Sequence, residues 1–95
     1  MKIKWSSEAM EDLAQLQAYV SKDNPAAARN MALKIVMAVE ISLPTNPAIG
    51  RPGRVIGTRE LVIAATPYLV PYRLHQNEIQ VLRVYHGARR WPERF

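Results

Sequence analysis

The hydrophobic period of this chain switches once, from helical to extended, and that switch leaves few folds open. Ala9, Leu13, Leu16 and Val20 recur at helical spacing, and Glu8, Glu11 and Asp12 crowd the first turn, where a helix dipole favours anions. Ser6 or Ser7 supplies the cap. Lys22-Asp23-Asn24 ends this helix. Asn24 then caps a second one that opens at Pro25, where a missing N–H costs nothing, and runs to about Leu43. Ahead of the helices, Lys2 to Trp5 alternates polar and apolar and predicts a short strand. Behind them, a connection over residues 44–54, dense in Pro and Gly, breaks the helical period. Three runs rich in β-branched and aromatic residues follow: Arg59 to Ile63, Tyr68 to His75 and Ile79 to His86. Their short links, Ala64-Ala65-Thr66-Pro67 and Gln76-Asn77-Glu78, predict an antiparallel meander. The expected fold is α+β: an N-terminal strand, an α-helical hairpin, then a three-stranded antiparallel meander (β-α-α-β-β-β), with the helices on one face of the sheet.

A chain of 95 residues builds one modest core, so residues 1–95 are read as a single domain with no room for an elaborate cofactor site. The absence of cysteine excludes disulfides, thiolate metal sites and cysteine nucleophiles, and two histidines provide no zinc cluster. Neither a metal nor a cofactor is expected. Met1-Lys2-Ile3-Lys4-Trp5 lacks the apolar core of a signal peptide, and no apolar run has the length of a membrane span, so the expected location is cytoplasmic.

Pairing the strands across their turns puts Tyr68, Val70, Tyr72 and Leu74 on one face with Ile79, Val81, Arg83 and Tyr85, the face expected beneath the helices. The opposite face then carries Leu69, Pro71 and Arg73 beside Leu82, Val84 and His86, with Glu60 and Val62 from the neighbouring strand. It is too apolar to stay wet, so either the C-terminal tail or a partner chain covers it. The second helix is also apolar around much of its girth. Ala28, Ala32, Ile35, Val36, Val39 and Leu43 form one stripe, while Met31, Leu33, Met37 and Ile41 lie off it. Either this helix packs on both the first helix and the sheet, or its methionine side receives an apolar helix from a partner, since methionine adapts to many shapes. Arg83, inside an apolar strand, requires a carboxylate if it is buried.

Charge is divided as sharply as period. Residues 1–50 balance five Lys/Arg against five Asp/Glu, whereas residues 51–95 hold eight Arg against Glu60, Glu78 and Glu93, so the whole net charge of +5 lies in the second half. All of that basic charge is arginine, whose planar fork suits carboxylates and phosphates. The expected partner is acidic, either nucleic acid or an acidic protein segment. The Gly50-Arg51-Pro52-Gly53 loop is no phosphate cradle, because no helix follows it.

In order and spacing, the Met1 to Trp5 strand, the helical hairpin, Ile49-Gly50-Arg51-Pro52-Gly53, Thr58-Arg59-Glu60-Leu61-Val62, Tyr68-Leu69-Val70-Pro71-Tyr72-Arg73 and Val81-Leu82-Arg83-Val84-Tyr85-His86-Gly87-Ala88-Arg89 together resemble the RelE/ParE superfamily of toxins from type II toxin–antitoxin systems. The resemblance covers essentially the whole chain. It implies a toxin held off by a cognate antitoxin, ParD-like or another small DNA-binding protein, in a hetero-oligomer. Arg51, Arg54, Arg59 and Arg73, with Leu69 and Leu82 and with Met31 and Met37 on the second helix, are then the candidate antitoxin-binding residues.

Two activities occur in the superfamily. RelE-like members cut messenger RNA on the ribosome without a metal, which needs a base for the ribose 2′-OH, an acid for the leaving oxygen and cations for the phosphate. ParE-like members are said to poison DNA gyrase and have no established catalytic residues. Where RelE-like enzymes place two basic residues on one strand this chain has Glu60 and Val62, and where they place an arginine on the next it has Leu69. Arg89 matches their C-terminal arginine, but Phe95 stands where they have a tyrosine, and it has no hydroxyl to pass a proton. The chain therefore looks more like ParE: a gyrase inhibitor with no catalytic residues, its target-directed residues being Arg89, Arg90 and Trp91 in the basic tail. The alternative is a ribonuclease built on His86, Glu60 and Arg89. His75 cannot join His86 there, because opposite ends of a hairpin leave them about 25 Å apart. A third possibility is a non-toxic domain that only takes part in repressing its own operon.

Overall fold

In the computed structural model, which describes residues 1–95, each helix begins where a side-chain oxygen caps it. Ser6 Oγ accepts from the Ala9 N–H at 2.9 Å, starting α1 (Ser7–Ser21), and Asn24 Oδ1 accepts from the Ala27 N–H at 3.0 Å, starting α2 (Pro25–Thr45). Helix α2 runs through Pro44 to Thr45, beyond the expected end at Leu43, because a proline in the last turn removes only one hydrogen bond.

The strands are β1 (Lys2–Trp5), β2 (Arg51–Pro52), β3 (Arg59–Val62), β4 (Tyr68–His75), β5 (Glu78–Val81) and β6 (Tyr85–His86). They form one mixed sheet in the order β1-β5-β4-β3-β2, with β6 also paired to β4. The antiparallel β3-β4-β5 meander is the expected one, and β1 adds to it parallel to β5. The two helices cover one face. Ala9 and Leu16 of α1 and Ile35, Val39 and Leu43 of α2 meet Leu61, Ile63, Val70, Tyr72, Ile79 and Val81 in a single core. Burying side chains of this size contributes roughly 1.5–3 kcal/mol each.

The last expected strand, Ile79 to His86, is interrupted, and this corrects the sidedness read from the sequence. Tyr72 faces Val81, so an unbroken ladder would set Leu69 against Val84, yet Leu69 faces Tyr85. One extra residue sits between β5 and β6, which is a β-bulge. Its cause is Asp12. That carboxylate accepts from Arg83 Nε at 2.7 Å, from Arg83 Nη2 at 2.8 Å and from the Val84 backbone N–H at 3.0 Å. The buried acid on α1 thus satisfies the N–H that the bulge takes out of the ladder, and it supplies the carboxylate that Arg83 requires. Beyond the bulge every side chain changes face. Val84 enters the core in place of Arg83, Tyr85 turns to the helix-free face, and His86 turns to the helix side, where its ring meets Tyr68 edge-on at 5.6 Å.

Tyr72 ties the irregular 46–50 connection to the sheet. Its buried hydroxyl accepts from the Gly50 N–H at 2.9 Å and donates to the Pro47 carbonyl at 2.8 Å. A Cβ at Gly50 would lie 2.6 Å from the phenol, so the loop approaches this closely only with glycine there. Burial raises the Tyr72 pKa above the ordinary 10.0, against the opposing pull of the Gly50 N–H and the Arg59 charge. A phenol that binds its proton more tightly when folded stabilises the fold fully below the unfolded value, and that contribution is lost as pH rises through the folded one. Tyr72→Phe should therefore lower stability by about 1–3 kcal/mol at neutral pH, from two backbone groups left without a partner, and should reduce the alkaline loss above pH 10. Urea unfolding at neutral pH and again well above the ordinary tyrosine pKa measures both effects.

Candidate functional site

On the helix-free face, Leu69 and Pro71 are buried although no helix lies over them. The C-terminal tail covers them. Tyr85, turned to this face by the bulge, packs edge-on against Trp91 at 5.1 Å between ring centroids, and Phe95 lies 6.1 Å from Tyr85 and 6.4 Å from Trp91. The tail is one of the two covers expected for this apolar face. The indole Nε1 is buried there with no hydrogen-bond acceptor.

Glu60 sits on the same face, opposite Pro71, with its side chain 1% exposed. Oε1 accepts from Arg51 Nε at 3.1 Å and pairs with Arg51 Nη2 at 3.0 Å, and Oε2 accepts from the Arg54 backbone N–H at 2.7 Å. The Arg54 guanidinium, 3.8 Å from Oε2 through Nε, lies with its carbon 4.3 Å over the Trp91 ring. A buried carboxylate, two arginines and the tail indole thus form one cluster, in which the acid's role is to hold arginines.

His86 is elsewhere. It lies on the helix side, on the strand flanking β4 opposite to β3, and three residues along β4 from the Glu60 position, which separates the two Cα atoms by about 14 Å. Its Nδ1 accepts from the Ala88 N–H at 3.0 Å, closing the turn that leads into the tail. His86 and Arg89 line a groove with Asp12, Gln15, Leu16 and Tyr19 of α1, and the Arg89 guanidinium lies 4.6 Å over the Tyr85 ring. The structure brings His86 and Arg89 together and leaves Glu60 on the other face.

The remaining sequence candidates fall into place individually. Arg59 Nη1 donates to the carbonyls of Ala48 and Gly50, at 3.3 and 2.8 Å, and so braces the same connection as Tyr72. Arg73 is exposed and bonds Gln80 at 2.7 Å. Leu69 is buried, Leu82 half-buried, Arg90 exposed, and Met31 half-buried against the core. Met37 is exposed, and with Leu33 and Ile41 it forms an apolar ridge at four-residue spacing along α2. As one of three first-turn acids, Asp12 reads from the sequence only as a complement to the helix dipole. The signal for its second role was its position: it falls on the Ala9 to Leu16 stripe, where a carboxylate must be paired.

A family model for the ParE toxin of type II toxin–antitoxin systems (parDE) matches residues 3–91. The Sinorhizobium fredii protein Y4kP is 41% identical over 92 residues, spanning 97% of this chain and 94% of that one. Toxin RelE2 of Caulobacter vibrioides is 32% identical over 87 residues, spanning 92% of this chain and 96% of that one. Among solved structures, a chain of the chromosomal ParDE system from P. aeruginosa is similar with a TM-score of 0.81 and 34% identity, over 90% of this chain and 95% of that one. A chain of the RelBE2 toxin–antitoxin complex from Mycobacterium tuberculosis shares the fold, with a TM-score of 0.65 and 22% identity over the same shares.

Proposed function

The chain belongs to the ParE toxin family of type II toxin–antitoxin systems, and on that footing we propose that a cognate antitoxin holds it inactive and that the free protein inhibits DNA gyrase through its C-terminal segment. The observation that carries the choice of a binding toxin over a nuclease is the separation of Glu60 from His86. A base, an acid and cations must all reach one ribose and its phosphate, and here the acid is committed to Arg51 and Arg54 on one face while the imidazole lies on the other.

The antitoxin is expected to engage two exposed features: Arg51 and Arg54, which meet acidic side chains, and the Leu33–Met37–Ile41 ridge, which suits the apolar face of a helix. Arg89, Arg90 and Trp91 are assigned to the target. Purified protein added to gyrase should block supercoiling or trap cleaved DNA, and Arg89→Ala or Arg90→Ala should weaken inhibition about tenfold or more if either is a central contact. Undisturbed supercoiling together with ribosome-dependent cutting of messenger RNA would reverse the assignment. The variants are to be compared at equal folded fraction, since Arg89 also stacks on Tyr85.

A further inference from the structure

We propose that Arg54 is a releasable clasp: an acidic peptide segment that binds the Arg51–Arg54 loop draws the guanidinium away from the indole and loosens the C-terminal tail from the sheet. The partner's chemistry rests on the antitoxin reading above, but the clasp stands on the geometry of four side chains.

Glu60 is the fixed point of the cluster. It is almost wholly buried and is held by Arg51 Nε, Arg51 Nη2 and the Arg54 backbone N–H, all within 3.1 Å. The Arg54 guanidinium is its most distant partner, at 3.8 Å, and adds no hydrogen bond. That group can leave without stranding a buried charge, because the three short contacts stay in place. Trp91 depends on it more heavily. One face of the ring carries the guanidinium carbon at 4.3 Å, and Nε1 has no acceptor to hold it. Its aromatic contacts are edge-on, with Tyr85 and Phe95.

The same two arginines are open to a partner, their side chains 52% and 44% exposed. They lie in the half of the chain that holds eight Arg against three Glu. A carboxylate arriving from outside makes short charge-assisted hydrogen bonds with a half-exposed guanidinium, which are stronger than stacking on an indole. A bound acidic segment therefore competes with Trp91 and not with Glu60. Binding on the loop is in this way coupled to the tail assigned to the target, with no contact between the acidic segment and the tail itself.

The test uses the full chain with Trp5→Phe, which leaves Trp91 as the sole tryptophan, and hexaglutamate as the probe. Acrylamide quenching of Trp91 should rise at saturating peptide, as the tail's opening equilibrium shifts about two- to fivefold on losing one exposed cation–π contact. Arg54→Ala keeps the backbone N–H to Glu60, so the loop persists; its Trp91 should start at the raised value and gain nothing from the peptide. Arg54→Lys keeps the charge but not the planar fork, and should show raised quenching while still binding hexaglutamate by calorimetry. Absence of peptide binding, binding that leaves Trp91 unchanged, or the same peptide-induced rise in Arg54→Ala would each overturn the clasp. Supercoiling is a separate readout. A gyrase inhibitor whose Trp91 ignores the peptide sinks the clasp alone, and a Trp91 response in a protein that spares gyrase sinks only the target assignment.

Discussion

Asp12→Ala is expected to destabilise the protein by about 3–5 kcal/mol, because it removes one member of a largely buried ion pair and strands the other. Two groups lose their partner together. The Arg83 guanidinium, only 23% exposed, is left without its bidentate carboxylate, and the buried Val84 N–H, which the bulge has already taken out of the ladder, has nothing to bond. The Arg83 pKa is raised above its ordinary value, first by its hydrogen bond to Asp12, in keeping with a strongly held cation. For a domain of this size the melting temperature should fall by at least about 12 °C. Asp12→Asn keeps an acceptor for Val84 and should recover part of the loss, whereas a uniform loss across both variants would mean that only the charge matters. Chemical unfolding of the two variants beside the wild type measures this. Near-ultraviolet circular dichroism should change in Asp12→Ala as well, since the bulge aims Tyr85 at Trp91.

A second large effect is expected from Glu60→Lys, which puts a cation where the buried carboxylate stands. It buries a cation beside Arg51 and Arg54 and removes the acceptor of the Arg54 N–H, and an uncompensated charge at a 1% exposed position should destabilise by more than about 5 kcal/mol. Such a loss approaches the whole stability of a domain this small, so the variant should be recovered unfolded or insoluble. Glu60→Gln, which keeps the volume and one acceptor oxygen, should fold with a loss nearer 1–3 kcal/mol. A soluble, fully folded Glu60→Lys protein by circular dichroism would show that the face opens to water easily, contrary to the packing of Leu69, Pro71, Tyr85 and Trp91 over it.

Both effects start from carboxylates that local pattern describes only in part. Glu8, Glu11 and Asp12 look alike as first-turn acids, and only the packing of α1 against the end of the sheet separates the buried one from its neighbours. Glu60 stands out in the sequence as one of only three acids among eight arginines in the second half. Its pairing with Arg51 and Arg54 depends on a loop whose path is held by Tyr72 and Gly50, two residues far apart in sequence. The candidate site was legible as a composition, arginines with an indole on a tail, but not as an arrangement.

The chain's own periodicity was sufficient for the strand Lys2–Trp5, the helical hairpin with its Asn24–Pro25 start, the three-stranded meander and the surplus of arginine in the second half, because turn chemistry, capping and hydrophobic spacing act within a few residues. Three features needed the assembled molecule: the parallel seating of β1 on β5, the bulge that turns His86 away from Glu60, and the tail's choice of the helix-free face. Leu82-Arg83-Val84 is as strand-prone as the residues around it, so nothing local marks an inserted residue. The competition between Val84 and Arg83 for the core, and between the ladder and Asp12 for one N–H, is settled by groups some seventy residues apart, 71 and 72 for the Asp12 contacts, and those meet only after the helices have packed on the sheet.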